Sequence, residues 1–572
     1  MKLFFIHRKK IRICALTMLG GLLLLCGRVL YIMLFQSDRL SYDATVLHER
    51  ERSIKAQRGR IISRDGTVLA DNKTVCTVSV IHSQIDDPDT VIKVLSDKLD
   101  MSETKVASYV NKVSSREKIK SNVDKETGDE IRALNLSGVK VDEDSKRVYP
   151  YAELLSKVMG FCGADNQGIL GIEAKYDDVL AGVNGMILTM TDAYGVEISD
   201  EEEKRVEPVN GDDLYISIDY NIQCYCMQAA RKAYEAKGAK SVSIIVMNPQ
   251  NGEILAMVNY PEYNLNEPYV LNYTPAETVT DENRMNLLNA MWRNGIINDT
   301  YEPGSTFKII TATAALSEHV VSLNDNFYCR GNLTVADRTI RCHKTTGHGS
   351  ETFAETLMNS CNPAFITWGM RVGSERFLYY MDRLGLLSKT GVDVPGEAST
   401  IIHKAEDIHE LELATMSFGQ SFQITPLQLM RAASCVVNGG TLITPHFAVK
   451  SIDSEGCITQ YEYSETPDVI DKDVCETMKT LLESVVSEGG GMQCKIEGYS
   501  IGGKTATSQK LPRSAGKYVS SFIGFAPADD PQIMAMCLID EPQGTYYGGL
   551  ICAPVIREIF ENIFPYLGIP KE

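Results

Sequence analysis

One segment decides the layout of this chain. Ile13 to Phe35 is apolar apart from Thr17, Arg28 and the glycines. At a rise of about 1.5 Å per residue it can cross a hydrocarbon core of about 30 Å. The residues before it, Met1 to Arg12, hold Lys2, Arg8, Lys9, Lys10 and Arg12 and no acid. Basic flanks stay on the cytoplasmic side. The pattern therefore predicts a cytoplasmic tail over 1–12, a single-pass transmembrane anchor over 13–35 and an exported remainder. A cleaved signal peptide is the rival reading. It needs a shorter apolar core and a small-residue cleavage site, and Gln36-Ser37-Asp38-Arg39 offers none. Arg28 is expected near the outer end, reaching for the headgroups.

The net charge of −18 hides an asymmetry. The tail carries all of its charge as base, so the exported part is more acidic than the total. Nucleic acid is thereby excluded as a general partner, because phosphate attraction needs a local excess of Lys and Arg. With 44% hydrophobic and 23% charged residues in the whole chain, the exported part should fold into more than one core. The fifteen cysteines are too sparse for a disulfide framework, and so many thiols outside the membrane point to a weakly oxidising compartment.

Residues 37 to about 60 read as a charged stalk. Arg58 to Ala70 alternates around Asp65-Gly66, a hairpin signal. Residues 86–144 read as a charged helical insert, including the dense run Ser114 to Lys125. Met186 to Thr191 reads as a strand. From Gly211 the character changes. Leu214 to Ile218 alternates as a strand, and Tyr220 to Lys237 has a helix pattern. Val242 to Met247 and Glu253 to Val258 form a hairpin around Asn251-Gly252. Further sheet elements are expected over 493–502, 504–509, 518–525 and 533–539, with a terminal helix over 552–564. This order predicts an α+β domain with an antiparallel sheet flanked by helices. Its sheet is split between the two ends of 211–568. Met247, Met257 and Met416 read as core, and Cys224 and Cys226 as two faces of one helix.

Ser-x-x-Lys puts both side chains on one helical face, where a desolvated Lys can take the Ser proton. The spacing occurs at Ser102, Ser115, Ser305 and Ser514. Only Ser305 follows a turn, Glu302-Pro303-Gly304, and opens an apolar helix, Phe307 to Leu316, whose positive dipole end it would meet. Two more pieces follow in order. Ser360-Cys361-Asn362 comes after a helix-like Phe353 to Met358. Lys504-Thr505-Ala506-Thr507 follows Gly502-Gly503 and starts a strand. S-x-x-K, S-x-N and K-T-x in that order form the penicillin-interactive set.

On these residues the chain resembles the class B penicillin-binding proteins, peptidoglycan D,D-transpeptidases of the division or sporulation type, in a clostridial-like form. Arg58-Gly59 to Ala70, Gly171-Ile172-Glu173, Ser417-Phe418-Gly419-Gln420, Ser520 to Pro527 and Tyr546-Tyr547-Gly548-Gly549 also match. The resemblance implies an elongated β-rich pedestal over 36–210 and a serine-acyltransferase domain of the penicillin-binding/β-lactamase-like fold over 211–568. It implies Ser305 as nucleophile and Lys308 as its base. Ser360 and Lys504 relay a proton to the leaving group, and Asn362 orients Lys308 and the substrate. Gly503, Thr505, Ala506 and Thr507 line the substrate, with Thr505 and Thr507 on its terminal carboxylate. The partners implied are stem peptides, β-lactams as inhibitors, the membrane, a multi-span glycosyltransferase and division or sporulation proteins. No cofactor is required for the chemistry. Two departures stand out. Ala506 replaces the family's usual Gly, and its methyl is expected to tighten the site and alter β-lactam affinity. Ser63 replaces a usual Asp.

A second cluster, Cys329, Cys342, His343 and His348, has donors that suit a structural zinc bracing the loop beside Ser360. A Cys329–Cys342 disulfide and two buried thiols are the alternatives. Metal motifs in some clostridial-type members favour zinc by resemblance. Two other functions fit the same motifs: a β-lactam-hydrolysing or β-lactam-sensing serine protein, and a division scaffold whose enzymatic role is secondary.

Overall fold

The computed structural model describes residues 2–37, 39, 49–114, 116–190 and 204–571. Residues 38 and 40–48 of the expected stalk, Ser115 and the end of the strand at Thr191 lie outside the described residues.

A helix runs over Lys2–Tyr31 and continues as a π-turn over Ile32–Gln36. Its stretch Lys9–Gln36 is long and apolar enough to cross a membrane, and none of it is buried against protein. The chain divides into two compact units. The first holds residues 74–146 and 183–210 with the N-terminal 57, and the second holds 58–73, 147–182 and 211–572.

In the first unit, Glu49–Ile54, Gly185–Met190 and Lys204–Val206 form a three-stranded sheet. Residues 86–144 are not an all-helical insert. Helices Pro88–Leu99, Glu103–Val110 and Lys125–Ala133 pack on strand Glu117–Asp124, which pairs with Val75 to Val80. Val78, Val80, Leu95, Leu99, Val106 and Ile131 make the core. The strand was hidden because it turns only Ile119 and Val123 inward and shows Glu117, Lys118 and Lys120 outward, the composition of a solvated helix.

The second unit is built on a five-stranded antiparallel sheet. Its strands are β1 (Ser241–Met247), β2 (Ile254–Tyr260), β3 (Gly502–Gln509), β4 (Tyr518–Ala526) and β5 (Ile533–Asp540), in the order β2-β1-β5-β4-β3. The expected sheet segment over 493–502 is instead a 3-10 turn, Met492–Cys494, and a loop. Helices α1 (Tyr220–Lys237) and α5 (Ala553–Leu567) share one apolar core with the sheet. Asp219 caps α1 by accepting from Asn221 N and Ile222 N, and Gly238 closes it in the left-handed region. In a second core lie α2 (Lys308–Ser317), α3 (Asn362–Val372) and α4 (Lys472–Ser487).

Leu214 to Ile218 does not join this sheet. Asp213–Ile216 pairs with Ala448–Ile452 and, in parallel, with Ile61–Ile62. Alternation marks a half-buried strand but not its neighbours.

Beside these strands lies a buried charge network. Arg58 donates from Nε to Glu173 at 2.6 Å and from its guanidinium to Asp177 at 2.6 Å. Arg147 donates to the other Glu173 oxygen at 2.7 Å. Glu173 is fully buried, and the two guanidiniums hold its carboxyl below the usual range against the opposing cost of burial. Gly59 allows the chain to pass: a Cβ there would lie 1.8 Å from Asp212 O.

Candidate active site

The sheet and the central helix set the site. β3 is an edge strand, so one row of its backbone groups faces no neighbour in the sheet. Facing it, Pro303 and a 3-10 turn, Gly304–Phe307, lead into α2, which is buried from Lys308 to Ala315. Gly304 holds φ +59, and its N–H donates to Gly419 O at 2.8 Å. Ser305 therefore stands where the helix dipole is positive. It is half-buried and makes no side-chain hydrogen bond among the described residues.

Lys308, one turn on, is fully buried. Its ammonium donates to Ser360 O at 2.7 Å, Asn362 Oδ1 at 2.8 Å and Ser360 Oγ at 3.1 Å. Ser360 takes φ +52, a left-handed conformation rare for a side chain with Cβ. That turn aims both its carbonyl and its hydroxyl at Lys308. From β3, Lys504 Nζ reaches the same Ser360 Oγ at 3.1 Å and Thr505 O at 3.2 Å, also fully buried. Two ammonium groups thus converge on one hydroxyl out of water. Burial pushes Lys308 down to about 8. Burial, with the charge of Lys308 added, pushes Lys504 well below its ordinary value.

The structure joins four of the five expected catalytic side chains, Lys308, Ser360, Asn362 and Lys504, by hydrogen bonds, and places the fifth, Ser305, on the turn that leads into Lys308. The other motif residues lie along β3. Gly503 is needed for close packing, since a Cβ would meet Ile523 O at 2.6 Å and Phe522 Cζ at 2.7 Å. Thr505 and Thr507 are half-buried on one face of the strand. Lys504, Ala506 and Ser508 lie on the other, toward the Gly304–Phe307 turn. Two contacts escaped sequence reasoning. Gly548 N–H donates to Thr507 Oγ1 at 3.0 Å, and Ser520 Oγ donates to Tyr546 O, which holds that loop on the strand.

The thiol cluster differs from expectation by one member. The compact set is Cys329, Cys342, His348 and Cys361, whose donor atoms all lie within 4.8 Å of one another. His343 is not in it, though its Nδ1 approaches Cys342 Sγ at 3.8 Å. Cys361 enters because it caps α3 between the two motif residues, which sequence spacing from Cys329 could not reveal. All fifteen cysteines are unpaired, so Cys329 and Cys342 form no disulfide. Three thiols and an imidazole fit zinc: tetrahedral bonds of about 2.3 Å put sulfurs about 3.8 Å apart.

Comparison with known proteins agrees with this geometry. Residues 242–561 match the penicillin binding protein transpeptidase domain, and 53–216 match the penicillin-binding protein dimerisation domain. The chain belongs to the penicillin-binding protein transpeptidase family. It is 39% identical to Stage V sporulation protein D of Bacillus subtilis (strain 168), over 96% of this chain and 84% of that protein. It is 28% identical to the peptidoglycan D,D-transpeptidase FtsI of Escherichia coli (strain K12), over 99% of this chain and 93% of the relative. Penicillin Binding Protein 2X from Streptococcus thermophilus shares the fold, with a TM-score of 0.74 at 20% identity, over 90% of this chain and 80% of that one. The expected penicillin-binding transpeptidase fold is therefore the one found.

Proposed function

We propose that this penicillin-binding protein is a membrane-anchored peptidoglycan D,D-transpeptidase that works through a Ser305 acyl-enzyme. The observation that carries the reading is the meeting of two depressed lysines on Ser360 Oγ beside the nucleophile turn. Neutral Lys308 takes the Ser305 proton, and Ser305 Oγ attacks the penultimate D-Ala carbonyl. The backbone N–H groups of Ser305 and Thr507 hold the oxyanion. Ser360, backed by Lys504, delivers the proton to the departing D-Ala nitrogen. Asn362 holds Lys308 and the substrate amide, and Thr505 and Thr507 hold the terminal carboxylate. The amine of a neighbouring stem peptide then attacks the ester, forming the cross-link and returning Ser305. β-Lactams acylate the same oxygen.

The Lys9–Gln36 helix serves as the anchor, with the basic tail in the cytoplasm and the catalytic unit outside. Strand polymerisation falls to a multi-span glycosyltransferase partner. The higher identity to a sporulation protein than to FtsI favours spore-wall over vegetative septal synthesis. Labelling with fluorescent penicillin tests the core of the reading: Ser305→Ala should abolish it, and persistent labelling would overturn it.

Zinc, where bound, would sit on Cys329, Cys342, His348 and Cys361 and take no part in acyl transfer. Its place beside Ser360 gives it a bracing role. Elemental analysis should find about one zinc per chain, lost in Cys361→Ser. Absence of zinc with all three thiols open to alkylation would dispose of it.

A further inference from the structure

A cavity of about 600 Å³ opens in the second unit, where residues 156–174 pack against 289–298 and 394–398. No residue of the three catalytic motifs lines it. Its volume is that of a small-molecule site, roughly 300–1,000 Å³. The walls are held together by their own hydrogen bonds. Asn298 Nδ2 donates to Gly396 O at 2.7 Å, Ala398 N–H to Ile297 O at 3.0 Å and Asn294 Nδ2 to Lys157 O at 3.3 Å. Leu170, Trp292, Val394 and Pro395 give the cavity an apolar side. The Trp292 indole N–H is already taken by Pro268 O at 2.8 Å, so the ring offers the cavity carbon alone.

Lys157 borders the same space. Its ammonium makes no hydrogen bond or ion pair among the described residues. Glu262 and Asp299 stand near it but beyond ion-pair reach. Glu262 is buried, and its carboxylate already accepts from Ser156 Oγ, from Lys157 N–H at 3.2 Å and from Asn259 N–H at 2.8 Å. Burial pushes the Lys157 amine below its ordinary value, against the pull of those two carboxylates. A cation drawn out of water with none of its three N–H groups paired to protein is costly to keep. Arg293, on the same wall, donates to Asp299 and to Asn298 O and keeps Nη1 without a protein partner.

The spare groups at this polar end are therefore donors on two cations, and they call for an anionic acceptor. Glu262 and Asp299 balance much of the basic charge, so the end suits one negative charge better than a phosphate dianion. The apolar side accounts for the rest of the volume. We propose that this cavity is a binding site for a small organic acid, with its carboxylate on Lys157 and Arg293 and its apolar body against Leu170, Trp292 and Pro395. The site is separate from the acyl-transfer chemistry and does not depend on it.

Isothermal titration calorimetry on the full-length protein tests this with two probes, N-acetyl-L-phenylalanine and its neutral amide. The acid should bind saturably, and at least about tenfold more tightly than the amide, as a charge-assisted bond requires. Acetate, which lacks the apolar body, should bind more weakly than the acid. Lys157→Met keeps the stem of the side chain and should remove the preference for acid, whereas Lys157→Arg should keep it. Melting curves and fluorescent penicillin labelling show that each variant is folded, and Lys157→Gln replaces Lys157→Met if the latter is not. No saturable binding of the acid overturns the site, as does equal binding of acid and amide. A preference that survives both Lys157→Met and Lys157→Gln also overturns it, because the acid would then sit elsewhere, as on Thr505 and Thr507. Absence of penicillin labelling in the unaltered protein would count against the acyl-transfer reading alone.

Discussion

Gly548 donates its backbone N–H to the Thr507 hydroxyl at 3.0 Å, while Tyr546 O lies 3.5 Å from the same oxygen. A hydroxyl has one hydrogen to give. With the Gly548 amide filling a lone pair and Tyr546 O too distant for a strong bond, that hydrogen is free for a substrate carboxylate. A Cβ at 548 would sit 2.2 Å from Ala506 O and 2.4 Å from Ser521 O. Gly548→Ala should therefore displace the loop and slow acylation by carboxylate-bearing β-lactams about tenfold, equivalent to about 1.4 kcal/mol. Thr507→Ser should retain most of the rate and Thr507→Val should not. Stopped-flow acylation kinetics on the variants would decide, and an unimpaired Gly548→Ala protein would sink the idea.

Acylation should rise with pH. Lys308, pushed down to about 8 by burial, is a base only when neutral. Below pH 8 the neutral fraction falls about tenfold per unit, and above it the rate should level off. The second-order rate of penicillin acylation between pH 6 and 10 measures this. A flat profile would remove Lys308 from the role of base.

Glu173→Ala should be among the most damaging changes outside the active site. It leaves the buried Arg58 and Arg147 guanidiniums facing each other without their shared carboxylate. Breaking a buried pair in this way costs about 3–5 kcal/mol. Glu173→Gln keeps the shape and part of the hydrogen bonding and should cost less. Denaturant unfolding of the three proteins gives the comparison.

The parts legible from sequence share one property: their signals are contiguous. Asp219 and Gly238 bracket α1, and Ser305 and Lys308 need only one helical turn to meet. What escaped depended on distant packing. Glu117–Asp124 reads as helix because its outward charges outnumber Ile119 and Val123. Leu214 alternates correctly yet joins Ile61 rather than β1, a choice made by the chain before residue 70. Cys361 replaces His343 in the thiol cluster because α3 begins there, and α3 is placed by its buried face against α2.

Ala506 poses the last test. Its methyl is 4% exposed and lies on the strand face toward Gly304, 3.7 Å from where a Cβ on that glycine would be. The face with Thr505 and Thr507 is the opposite one. The methyl thus spaces β3 from the Gly304–Phe307 turn and does not project among the Thr505 and Thr507 hydroxyls. Ala506→Gly should cost stability by about 1 kcal/mol, from the small void and the freer backbone. Its effect on penicillin acylation should stay within about threefold, or about 0.7 kcal/mol. Ala506→Val, adding bulk where the turn already packs, should lower acylation far more, as overpacked sites distort their neighbours. Melting curves and acylation rates for both variants separate spacing from direct contact. A large gain in β-lactam reactivity for Ala506→Gly, with melting unchanged, would mean the methyl obstructs the ligand itself.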